Sequence, residues 1–156
     1  MKLSRHLSLA CLVIAPLALN ASVKDISSEQ EYEQIVSQGN PTLVEFAANW
    51  CGVCNRVKGA FEEISNDNEF ANVNFVRVDI DQAQELRKKN GIVGVPSFLF
   101  IQNNSQLKES VGVKNLKSFN EDLRNDLRST FDLAECSTCG TDENDSDDEN
   151  ESDDEA

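Results

Sequence analysis

An α/β domain built on a mixed central β-sheet, with helices on both faces, is the fold class that this 156-residue sequence predicts. Strand-like and helix-like segments follow one another in the order β-α-β-α-β-α-β-β-α. Strands separated by helices call for parallel pairing through right-handed crossovers. The last two strand-like runs are joined by a short polar turn and add an antiparallel hairpin at one side. A third observation places chemistry on this frame. Trp50-Cys51-Gly52-Val53-Cys54 lies between an apolar run and a helix-patterned segment.

The elements follow in chain order. Residues 1–21 carry Lys2 and Arg5, an apolar run from Leu7 to Leu19, and small residues around Ala21-Ser22, the pattern of an export signal. That run is shorter than the ~20 apolar residues needed to span a bilayer, so a cleaved signal is expected and a stable membrane anchor is not. Val23 to Ile26 is a short strand. Ser27 or Ser28 caps a helix running to about Ser37, with Ser28 and Glu31 spaced as a capping box, and Gly39-Asn40-Pro41 ends it. Thr42 to Ala48 is β-branched and aromatic enough for a buried strand. From Cys54 to about Asn66, Val57, Phe61 and Ile64 recur at helical spacing. Val73 to Ile80 reads as a strand, and Gln82 to Asn90 as a short polar helix stopped by Gly91. Ser97 to Ile101 leads through Asn103-Asn104-Ser105 into Gln106 to Val113, the hairpin. Leu116, Phe119, Leu123 and Leu127 predict a closing helix from Asn115 to about Phe131. One domain over residues 22–131 is therefore expected, followed by a tail over 132–156.

Charge is distributed unevenly. The net charge is −14, and Asp142 to Glu155 contributes ten acidic residues with no basic one. Residues 141–156 hold no hydrophobic residue larger than alanine, so they cannot form a packed core and are expected to be disordered. The remainder has no basic stripe and no repeated aromatics, which argues against nucleic acid as a partner.

Two cysteines separated by two residues can close a small disulfide ring. At a strand-to-helix junction the first thiol meets the helix N-terminus, where the dipole and unpaired N–H groups favour a thiolate. Glu45 lies six residues before Cys51 on the apolar strand.

Residues 22 to about 131 resemble thioredoxin. Trp50-Cys51-Gly52-Val53-Cys54 resembles the family's WCGPC motif, Val95-Pro96-Ser97 its cis-proline loop, and Val111-Gly112-Val113 the glycine-containing end of its last strand. The resemblance implies a thioredoxin-like three-layer sandwich and a thiol–disulfide oxidoreductase without a bound cofactor. It implies that Cys51, the more exposed thiol, attacks a substrate disulfide and that the buried Cys54 resolves the mixed disulfide. Trp50, Gly52, Val53, Val95 and Pro96 would then contact substrate, and Glu45 would stand in the place of a buried Asp, where a carboxylate raised in pKa by desolvation could accept and return the proton of Cys54 through a water. Val53 replaces the motif's proline, Asn55 a following lysine and Gly59 a helix-kinking proline. Arg77 falls where a lysine often faces the buried carboxylate.

A second pair, Cys136-Ser-Thr-Cys139, falls outside this resemblance. It can close a local disulfide, remain a dithiol, or relay electrons as a second redox pair. A zinc site joining both pairs would need 81 intervening residues, far from common zinc spacings, so no metal is expected. The sequence thus predicts an exported protein, periplasmic or secreted, with the endoplasmic reticulum lumen as the alternative. It is expected to act as a monomer on protein substrates bearing disulfides or thiols, with a redox donor or acceptor as partner. A different class of function, a chaperone-like module that holds extended cysteine-containing clients without turnover, is the alternative.

Overall fold

A computed structural model describes residues 22–133. The expected signal segment, the pair Cys136/Cys139 and the acidic tail lie outside them. Among the described residues, five strands form one sheet in the order β1-β3-β2-β4-β5. They are β1 (Lys24–Ile26), β2 (Thr42–Ala47), β3 (Asn74–Asp79), β4 (Ser97–Gln102) and β5 (Ser105–Val111). Strand β3 runs parallel to both β1 and β2, whereas β4 runs antiparallel to β2 and β5 antiparallel to β4. This is the expected mixed sheet with its terminal hairpin.

The two faces bury different helices. Helix α1 (Glu29–Val36) and α3 (Gln84–Lys89) cover one face. There Tyr32, Ile35, Val36 and Leu86 pack with Val44, Phe46, Val76, Val78, Leu99 and Ile101. Helix α2 (Gly52–Ser65) and α4 (Phe119–Phe131) cover the other. Val57, Phe61, Ile64, Leu123 and Leu127 there meet Leu43, Phe75, Phe98 and Phe100. Alternate residues of β2 serve opposite cores, Leu43 on one and Val44 and Phe46 on the other, as the two-residue period of a strand requires. Every residue of β2 is buried, which explains why its sequence shows no polar alternation.

Several local expectations shift by a residue or more. Helix α2 starts at Gly52 instead of Cys54, because Cys51 itself takes the N-cap in extended conformation. It runs unbroken through Gly59. Helix α4 starts at Phe119 instead of Asn115: the Asn115 side chain accepts the Lys117 N–H at 2.9 Å, closing a local turn that competes with a helical one. Leu116 is accordingly exposed and outside the periodic stripe. Strand β5 starts at Ser105, since Asn103 and Asn104 alone make the turn, with φ of 51° and 59°. Asparagine tolerates this left-handed pair, which matches the twist of a two-residue hairpin. At α1 the Ser28 hydroxyl accepts the Glu31 N–H at 3.3 Å. Glu31 Oε2 reaches the Ser28 hydroxyl at 3.1 Å, a variant of the reciprocal box.

Candidate active site

Strand β2 ends at Ala47, and the chain turns at Ala48–Trp50 before entering α2. Cys51 N–H donates to Ala48 O at 3.1 Å, and the Cys51 carbonyl receives the Asn55 N–H at 3.1 Å. This turn places Cys51 at the N-cap. Its sulfur accepts the Cys54 N–H at 3.1 Å, and a disulfide joins Cys51 to Cys54 across a Cα separation of 5.3 Å. When the bond is reduced, the same N–H and the dipole of α2 stabilise a thiolate on Cys51. The two cysteines differ little in exposure, 7% and 4%. The expected contrast between an exposed and a buried thiol is thus slight in the disulfide form, and the N-cap position is what distinguishes Cys51.

Val95 packs against the core cluster that holds Cys51 and Cys54, and the Val95–Pro96 peptide is cis, the geometry that the resemblance implied. Pro96 is buried, and its carbonyl receives the Gly112 N–H at 2.7 Å. Ser97 Oγ donates to Gly94 O at 2.8 Å and closes the loop from inside. Gly112 holds φ of +74°, a conformation that glycine adopts without cost. Around this loop Trp50 and Val93 stand out from the surface, 68% and 84% exposed. Val53 and Val95 pack partly against the core. Gly52 is exposed and has open space where a Cβ would stand.

Below the disulfide, Glu45 is wholly buried. It pairs across the parallel β2/β3 register with Arg77, whose Nε donates to Glu45 Oε2 at 2.7 Å. Burial, the largest influence, raises the Glu45 pKa, and Arg77 opposes it. Arg77 Nη1 donates to Glu62 Oε1 of α2 at 3.2 Å, and its guanidinium lies 5.4 Å from the centre of the Phe61 ring. Among the described residues, Glu45 Oε1 and Arg77 Nη2 are buried side-chain atoms without a hydrogen-bond partner. A pocket of about 390 Å³ connects Glu45 and Arg77 with Cys54, Asn55 and Lys58.

Cys51 and Cys54 thus share one packed cluster with Val53 and Val95, Trp50, Gly52 and Pro96 adjoin these residues along the chain, and Glu45 lines a pocket with Cys54. Cys136 and Cys139 lie outside the described residues. Sequence reasoning missed Asp81, which accepts the Trp50 indole N–H at 2.8 Å and fixes the ring. It also missed Asp79, which accepts from Asn49 and Gln82, and Glu62. Their signals are single acidic residues among many, legible only once the fold closes. No grouping of His, Cys, Asp or Glu among the described residues suits a metal ion.

A disulfide that caps a helix at the end of a buried central strand, beside a cis-proline loop, defines a protein-disulfide oxidoreductase. The Thioredoxin family profile matches residues 23–125, and the chain belongs to that family. It is 35% identical over 95 residues to thioredoxin-1 of Schizosaccharomyces pombe, covering 61% of this chain and 90% of that one. It is 33% identical over 108 residues to protein disulfide-isomerase erp38 of Neurospora crassa, covering 68% of this chain and 29% of that protein. The crystal structure of thioredoxin from Trypanosoma brucei brucei superposes with a TM-score of 0.61 at 29% identity, covering 74% of this chain and 99% of that one.

Proposed function

We propose that this protein exchanges disulfides with protein substrates through Cys51, in a compartment outside the cytoplasm, as a monomer. The observation that carries the reading is the Cys51 sulfur at the N-cap of α2, accepting the Cys54 N–H. In the reducing direction the Cys51 thiolate attacks one sulfur of a substrate disulfide. That bond breaks, a Cys51–substrate disulfide forms, and the displaced substrate thiolate takes a proton from solvent. Cys54 then gives its proton to Glu45, directly or through a water in the pocket, and its thiolate attacks the Cys51 sulfur. The second substrate thiolate leaves, also to be protonated. The pair ends oxidised by two electrons and the substrate disulfide reduced. The same steps in reverse oxidise a substrate dithiol, so the partner's potential sets the direction.

Trp50, Val93 and Val95 offer an apolar rim, and the backbone before Pro96 is free to pair with an extended substrate segment. Export rests on residues 1–21 alone. The Cys136/Cys139 pair is read as a second redox pair on its spacing alone. Insulin reduction by dithiothreitol tests the reading. Acceleration by the protein over a Cys51→Ser control supports exchange, and its absence favours a holding module without turnover.

A further inference from the structure

Resting on that reading, the inference concerns how the buried base is kept ready. An arginine and a carboxylate on facing strands usually close a two-pronged contact, with two parallel N–H···O bonds. Glu45 and Arg77 do not. Nε meets Oε2 at 2.7 Å, but Glu45 Oε1 and Arg77 Nη2, the atoms that would complete the fork, are both buried and unpartnered. The guanidinium is drawn the other way. Its Nη1 donates to Glu62 Oε1 at 3.2 Å, from the helix that begins at Cys51. The guanidinium also lies over the ring of Phe61, the residue before Glu62, 5.4 Å from its centre.

We propose that Glu62 is a positioning residue for proton transfer at Cys54: by holding Arg77 Nη1 from α2, it keeps the guanidinium in one-armed contact with Glu45 and leaves Glu45 Oε1 free to take the proton. The chemistry balances simply. One proton moves from the Cys54 thiol to Oε1 as the mixed disulfide is resolved, and it returns when the pair is reduced again.

The groups around Glu45 are few. Arg77 and Asp79 come from β3, Asp25 from β1, and Cys54, Lys58 and Glu62 from α2, while β4 presents Phe98 opposite it. Lys58 also reaches Glu62 Oε1, at 3.9 Å, so that one oxygen holds two cations. Asp25 and Glu62 add negative charge and act in the same direction as burial on Glu45. Glu62 is 45% exposed at its side chain, so its replacement leaves no buried cavity and the fold should survive.

The test follows the Glu45 carboxyl carbon by NMR titration in the wild type, Glu62→Gln and Glu62→Asp, alongside the pH dependence of mixed-disulfide resolution. Glu62→Gln keeps an acceptor at the same reach but turns a charge-assisted bond to Nη1 into a weaker neutral one, so Arg77 should turn to close its fork on Glu45. The Glu45 midpoint should fall by roughly half a pH unit or more, with the acid limb of resolution moving with it. Glu62→Asp should stay closer to the wild type. An unmoved midpoint in folded Glu62→Gln overturns the proposal, as does a moved midpoint with an unmoved rate profile. Repeating the titration in an Arg77→Lys background separates position from charge, because lysine has no fork to close. The Glu62→Gln shift should there shrink by about half or more. An equal shift in both backgrounds means that Glu62 acts by charge alone and overturns the role. Failure of the exchange reading is seen separately, as inactivity of the wild type toward insulin.

Discussion

Glu45 is a carboxylate without exposed surface, and two consequences follow for the residue itself. Its replacement by alanine should slow resolution of the mixed disulfide more than the first attack by Cys51, as stopped-flow kinetics with a peptide disulfide would separate. Equal slowing of both steps would contradict its role as base. Its folded pKa is raised above the ordinary value of 4.5. The folded state therefore holds this proton more tightly than the unfolded chain does. The group's contribution to stability is fully present below about pH 4.5 and is lost as pH rises through the folded pKa. Urea unfolding of Glu45→Gln against the wild type should show that difference, with the variant gaining relative stability as pH rises above that range. Parallel pH profiles would count against it. Glu45 and Arg77 were legible as a pair only through the family resemblance, which puts a lysine where Arg77 stands; the β2/β3 register then sets them opposite one another. Their one-armed geometry was not, since it depends on Glu62 arriving from a helix that only the folded chain brings over them.

At the scale of elements, the strands and helices were legible from period and punctuation, and their ends were not. Two ends moved because a side chain took a backbone partner: the Cys51 sulfur at α2 and the Asn115 carboxamide before α4. Such contacts leave no periodic trace. The short 3₁₀ turn Asn68–Phe70 was missed for the same reason. Asp67 caps it, accepting the Glu69 N–H at 3.0 Å, and its other oxygen meets Arg124 of α4 at 2.7 Å. The Glu69 N–H and Arg124 lower the Asp67 pKa. This contact therefore supports stability above the ordinary aspartate value of 3.8 and loses it as pH falls through the lower folded value. Asp67→Ala should cost about 1 kcal/mol at neutral pH, in the range of a lost helix cap. The difference from the wild type should narrow in acid, and a constant difference from pH 7 to pH 2 would show that the carboxylate charge is irrelevant.

For the whole molecule, the layered α/β class was readable because the order of elements admits few chain paths, and both faces of the sheet are filled as expected. The acidic tail is a separate matter of composition. Its ten acidic residues exceed the net charge of the rest of the chain, yet the family match ends at residue 125. Deleting residues 141–156 should leave the thermal midpoint and the insulin-reduction rate within error of the full chain. A drop in either would give the tail a part in folding or turnover. The position of β2 carries one more consequence. It is third of five strands, bonded to β3 on one side and β4 on the other, and no residue of it is exposed. Amide hydrogens in such a strand exchange with deuterium chiefly when the whole sheet opens, whereas those of the marginal strands β1 and β5 exchange through local fraying. Glu45 sits midway along this strand, which should be the slowest of the sheet to exchange. Opening of β2 itself is therefore not expected to carry its proton, and the route to Cys54 is the pocket that both residues line, whose walls include Asp25 and Ile26 of β1.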